Sequence, residues 1–167
     1  MNIMEFAQKK ERFSIELYTE LAAKTKHEGL RNIMLMLAEE EKQHNRLLLD
    51  VAREMPAGIQ ESPAALRGAS NVFRQMKKSA AQFVFPGHEV ELYSKARGHE
   101  KESIEFYLQK ARELPDDGHR GVFSRLADEE QKHFILLDSI CDFVSRPLSY
   151  LENAEFTHLD GYGEDAF

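Results

Sequence analysis

Glu40-Glu41-Lys42-Gln43-His44 and, 89 residues later, Glu129-Glu130-Gln131-Lys132-His133 are the two stretches on which the reading of this chain turns. In each, a glutamate and a histidine stand three residues apart, about 60° around an α-helix, so both heads share one face. That face is apolar: Met34, Leu37, Ala38 and Leu48 line it in the first copy, and Phe123, Leu126, Ala127 and Leu137 in the second. A carboxylate and an imidazole on the buried stripe of a helix need a compensating partner, because uncompensated burial is very costly.

The match extends well outside the two pentapeptides. At the same offset Glu11 falls on Glu100, Ser14 on Ser103, Tyr18 on Tyr107, Ala22 on Ala111, Gly29 on Gly118 and Arg31 on Arg120. There are 15 identities over the 38 positions from 11 to 48, against about two or three expected at average residue usage. The two halves are copies of one helical hairpin, and a duplicated hairpin closes into a bundle because neither copy buries its apolar stripe alone. Apolar positions drifted between the copies (Leu17 to Phe106, Ile33 to Val122, Met34 to Phe123), whereas Glu11/Glu100, Glu41/Glu130 and His44/His133 did not.

Apolar spacing predicts four long helices, roughly 2–26, 29–54, 88–113 and 117–145, with Phe6, Phe13, Leu17 and Leu21 among the residues at helical steps in the first. Short turns at 26–29 and 114–118 force antiparallel hairpins. The expected fold is therefore all-α, a four-helix bundle over 1–145 made of hairpin repeats at about 2–54 and 88–145. A long crossover, 55–87, joins them and contains a shorter helix between Ala64 and Phe83. The tail, 146–167, carries Pro147, Gly161 and Gly163 and reads as irregular, docked by Tyr150, Phe156 and Tyr162.

Composition narrows the function classes. The chain has 167 residues, 42% apolar and 31% charged, with a net charge of −7. An acidic balance argues against nucleic-acid binding, which requires a basic patch. A single cysteine, Cys141, excludes an intrachain disulfide framework and any four-cysteine metal centre, and reads as a buried small hydrophobe. The longest apolar run is six residues, Ile33 to Ala38, too short for a bilayer, and the first thirteen residues lack the apolar stretch of a secretory signal. The expected location is cytoplasmic, with no membrane partner.

Glu11 shares a stripe with Ala7, Ile15, Tyr18 and Ala22, and Glu100 with Tyr93, Ala96, Ile104, Tyr107 and Ala111. Four carboxylates (Glu11, Glu41, Glu100, Glu130) and two imidazoles (His44, His133) thus aim at one bundle core. The only Lys or Arg three or four steps from these glutamates is Arg97, near Glu100, which reads as a surface residue. Two divalent ions would cancel the four charges. One glutamate from each of two helices, with Glu-x-x-His from each of the other two, is the donor set of di-iron and di-manganese carboxylate proteins. Glu16/Glu105 and Glu40/Glu129 are repeated as well, but point off this stripe and read as solvated. His27, His88, His99, His119 and His158 have no histidine at the 89-residue offset and read as surface or loop residues.

On Glu11…Tyr18 followed by Glu41-Lys42-Gln43-His44, and Glu100…Tyr107 followed by Glu130-Gln131-Lys132-His133, the chain resembles the rubrerythrin-like branch of the ferritin-like superfamily over about residues 2–145. The resemblance implies a ferritin-like bundle holding two iron ions, with manganese or zinc as substitutes. It implies that Glu41 and Glu130 bridge the metals, that Glu11 and Glu100 bind one each, that His44 and His133 are nitrogen ligands, and that Tyr18 and Tyr107 hydrogen-bond ligand carboxylates. Two departures stand out. Rubrerythrins have a second glutamate three residues after the one on the third helix, where this chain has Ser103, and a rubredoxin domain with paired CxxC motifs, of which this sequence has none. Electrons would then come from Fe(II) or from an external, rubredoxin-like donor. The expected function is a non-haem di-iron oxidoreductase using H2O2 or O2 in iron handling or oxidative-stress defence, with Glu41 and Glu130 at the reacting centre. The alternative is a non-catalytic iron-binding protein for storage, delivery or sensing; a substrate oxygenase or a di-manganese protein is a third reading. A homodimer is expected.

Overall fold

The computed structural model describes residues 2–54, 64–78 and 83–153, which form six helices and, among the described residues, no strand. Helices α1 (Ile3–Lys24) and α2 (Glu28–Ala52) make one hairpin, and α4 (Gly87–Glu113) and α5 (Asp117–Ser145) the other. Two shorter helices, α3 (Ala64–Lys77) and α6 (Pro147–Asn153), pack on this frame. The architecture is an all-α, ferritin-like four-helix bundle: α1 packs chiefly on α2, α4 on α5, and the α1–α4 and α2–α5 seams close the two hairpins on each other. No helix among the described residues is long and apolar enough to cross a membrane.

Local chemistry sets the helix ends. Asn2 and Glu5 form a capping box at the start of α1: the Asn2 side chain accepts from the Glu5 amide at 2.8 Å and Glu5 accepts from the Asn2 amide at 3.0 Å. Asp116 caps α5 by accepting from the His119 amide at 2.8 Å, while His27 does the same for α2. The turns explain two of the repeated residues. The Arg31 guanidinium donates to the carbonyls of Thr25 and Lys26, and Arg120 donates to those of Leu114 and Pro115, the equivalent positions. Each arginine thereby satisfies carbonyls left over at the end of the preceding helix.

Gly29 and Gly118 occupy equivalent places after these turns but different surroundings. A Cβ on Gly29 would lie 2.5 Å from Cγ1 of Val72 on α3, whereas one on Gly118 would meet only Asp116 Oδ1, at 3.1 Å. Val72 is β-branched and cannot swing away cheaply. Gly29→Ala is therefore expected to lower stability by about 1–3 kcal/mol through overpacking, while Gly118→Ala changes it much less. Thermal melts of the two variants check this; equal effects would contradict the close approach of α3 to α2.

The apolar core has two parts. One gathers Tyr18, Leu21, Leu30, Ile33, Met34, Leu37, Ala38, Tyr93, Ala96, Leu136, Leu137 and Ile140 with the inner face of α3. The other gathers Ala7, Leu47, Leu48, Tyr107, Ala111, Phe123, Leu126 and Ala127. On all four long helices the sequence passes from one part to the other across a buried polar residue: Glu11, Glu41 with His44, Glu100, and Glu130 with His133. A polar layer is thus enclosed between two apolar ones.

Some expectations are corrected. The tail is not irregular at its start: Pro147 opens α6, where its fixed φ and missing N–H suit a first helical position. Tyr150 on α6 is buried against Phe73 of α3, ring centroids 5.4 Å apart. Phe156 and Tyr162 lie outside the described residues. Phe6 and Phe13, at helical steps in the sequence, point outward and are 40% and 52% exposed. The inner stripe of α1 is Ala7, Glu11, Ser14, Tyr18, Leu21 and Ala22, in keeping with the stripe expected around Glu11, and the two phenylalanines fall outside it.

Candidate metal centre

The polar layer brings Glu11 of α1, Glu41 and His44 of α2, Glu100 of α4, and Glu130 and His133 of α5 to one place, all buried. Their donor atoms form two overlapping groups of four, Glu11–Glu41–His44–Glu130 and Glu41–Glu100–Glu130–His133. Within each group one ligand atom per residue lies within 4.8 Å of the others. Glu41 and Glu130 belong to both groups, while each group has one glutamate and one histidine of its own.

The histidines present Nδ1 to this centre. His44 Nδ1 stands 3.4 Å from Glu11 Oε2, 3.4 Å from Glu41 Oε2 and 3.2 Å from Glu130 Oε1. His133 Nδ1 stands 2.8 Å from Glu41 Oε1 and 3.4 Å from Glu130 Oε2. The two rings are near-parallel, 5.5 Å between centroids. Both oxygens of Glu41 and of Glu130, one each of Glu11 and Glu100, and Nδ1 of both histidines are buried without a hydrogen bond of usable geometry among the described residues. Buried polar atoms are ordinarily paired, so eight converging orphans make a donor set that fits cations rather than a packed core.

The outer carboxyls are held by tyrosines from across the bundle. The Tyr18 hydroxyl on α1 donates to Glu100 Oε1 on α4, and the Tyr107 hydroxyl on α4 donates to Glu11 Oε1 on α1. Burial, then the neighbouring carboxylates, pushes both phenols well above their ordinary range, so they remain donors. Burial followed by the charges of Glu41 and Glu130 raises the Glu11 carboxyl, and burial followed by Glu130 raises that of Glu100. For His44 and His133 burial acts downward, but the surrounding carboxylates outweigh it and leave both imidazoles well above the usual range. The cluster demands positive charge, which protons or divalent cations can supply.

Outside this set, Arg97 pairs with Asp138 at 2.6 Å and gives Glu100 no counter-charge. Glu16 and Glu105 are exposed. Cys141 is buried. Ser103 is buried in the α4 face that carries Glu100. Two readings from the sequence are corrected. His99 is half-buried and pairs with Ser14 Oγ at 2.9 Å while its ring packs on Phe13, so it is not a surface residue. Glu40 and Glu129 are not solvated: they are 6% and 8% exposed. Glu129 is held by Lys132 at 2.8 Å, and Glu40 by His133 Nε2 at 2.9 Å. Helical periodicity places Glu40 outside the four-helix core, but α3 covers that face, as the Ala65 amide donating to Glu40 shows. The one signal in the sequence was its recurrence as Glu129.

The rubrerythrin family profile matches residues 2–140. No curated protein and no solved structure matches the chain. With the profile spanning most of its length over a bundle of this kind, the chain belongs to the rubrerythrin family.

Proposed function

We propose that this chain is a non-haem di-iron oxidoreductase that reacts with H2O2 or O2. The observation that carries the proposal is the sharing of Glu41 and Glu130 between two four-residue donor groups, which suits a pair of ions bridged by carboxylates. Glu11 and His44 would complete one ion's set, and Glu100 and His133 the other's. Iron and manganese both accept such oxygen and nitrogen donors. A ferrous pair held there would supply the two electrons that, with two protons, reduce H2O2 to two waters.

The residues of the chain set the conditions for that chemistry. Glu41 and Glu130, on α2 and α5, would be the donors that both positions share. Tyr18 and Tyr107 hold Glu100 and Glu11 by one oxygen and leave the other for the ion. The apolar layers on either side exclude bulk water, which strengthens the electrostatic hold on charge inside. Return to the ferrous state would draw on a separate, rubredoxin-like electron donor.

The test is stopped-flow mixing of Fe(II)-loaded protein with O2 and, separately, with H2O2, followed by a reductant cycle. The reading expects oxidation much faster than that of free Fe(II), with repeated turnover when reductant is present. Two tightly held irons that resist both oxidants would overturn catalysis in favour of storage, delivery or sensing.

A further inference from the structure

The geometry points to Glu40 as a positioning residue that ties the crossover helix α3 to the His133 imidazole, making metal uptake on the Glu100–His133 side and docking of α3 one coupled event. This inference rests on the metal-site reading above. Its carboxylate makes two buried hydrogen bonds with different parts of the molecule. Oε2 pairs with His133 Nε2 at 2.9 Å, and Oε1 accepts from the Ala65 backbone amide at 3.0 Å.

The first bond selects a tautomer. A carboxylate only accepts, so when a cation displaces the proton that Glu41 and Glu130 hold on Nδ1, the neutral ring keeps its remaining proton on Nε2 and would turn the Nδ1 lone pair to the metal. It also fixes the ring plane; partners of this kind orient a ligand and raise its basicity. The second bond satisfies an amide in the first turn of α3, which has no acceptor within its own helix. The carboxylate also complements the positive end of that helix. Ala65, Leu66, Ala69, Phe73 and Met76 of α3 are all buried, so the carboxylate and the apolar face seat the helix together.

The repeat isolates what is special here. Glu129 is the same residue 89 positions later, but its carboxylate turns to Lys132 on its own helix. The two halves of the donor set therefore share ligand types and differ in what stands behind the histidine. His133 is backed by a residue that also feels α3.

Wild type, Glu40→Gln and Glu129→Gln are compared by Co(II) titration of metal-stripped protein, reading the visible ligand-field bands. Hydrogen exchange of the α3 amides is measured before and after loading. In Glu40→Gln the side-chain oxygen can serve one N–H, while its NH2 group opposes the other. The expected result is two Co(II) per wild-type chain with α3 amides better protected after loading. In Glu40→Gln, one of the two ions should bind about ten- to a hundredfold more weakly and the metal-dependent protection of α3 should disappear. Glu129→Gln should leave both near wild type. Should the glutamine variant not fold by circular dichroism, Glu40→Ala gives the same readout. Unchanged affinities and unchanged α3 protection in a folded Glu40 variant overturn the inference, as would an equal effect of Glu129→Gln. Failure of wild type to take up two Co(II) would remove the two-metal reading itself, and this inference with it.

Discussion

Glu130→Ala is expected to reduce metal uptake from two ions per chain to at most one weakly held ion, and to abolish magnetic coupling between irons. The same result is expected for Glu41→Ala. Each of these glutamates contributes to both donor groups, so its removal takes a charged donor from both positions at once. Glu11→Ala is the informative contrast. Glu11 belongs to one group only, and its loss should weaken one ion while the Glu100–His133 position fills normally. Equilibrium dialysis with metal analysis, together with Mössbauer or magnetic measurements on the loaded variants, distinguishes the two patterns. Full occupancy with a coupled pair in Glu130→Ala would remove that residue from the bridging role.

The second large effect concerns stability. Four carboxylates and two imidazoles lie in a layer closed off by apolar side chains above and below, and that layer is satisfied only by added positive charge. Ions that bind the folded chain and not the unfolded one stabilise it by mass action, about 2.7 kcal/mol per site at a hundred times the dissociation constant. Two sites give about 5 kcal/mol. For a chain of this size, about 2–4 °C per kcal/mol applies, so chelation is expected to lower the melting temperature by about 10–20 °C and re-addition of metal to restore it. Calorimetry with and without chelator measures the difference. A melting temperature indifferent to chelator would mean that the polar layer does not bind metal.

Much of this molecule is legible in its sequence, and for one physical reason. The 89-residue repeat holds Glu11, Glu41 and His44 to the same types in both copies while neighbouring apolar residues drift, and helical geometry alone puts those heads on the inner face. What escaped depends on contacts between elements distant in sequence. Glu40 reads as solvated because nothing within a few residues reveals that α3 folds back over it. His99 reads as a surface histidine for a similar reason, its partners Ser14 and Phe13 being on α1. Phe6 and Phe13 mark the helical spacing of α1 but lie on its outer side, since its inner face carries Glu11 and Ser14. Pro147, read as a mark of irregular chain, opens α6 instead.

The most direct measurement is an anaerobic Fe(II) titration of the metal-stripped chain, followed by spectroscopy and by metal analysis after desalting. Two overlapping donor groups that share Glu41 and Glu130 predict saturation at two irons per chain, retained on the column and magnetically coupled. Saturation at one iron, or iron that washes off, would contradict the account of the polar layer as a two-metal centre.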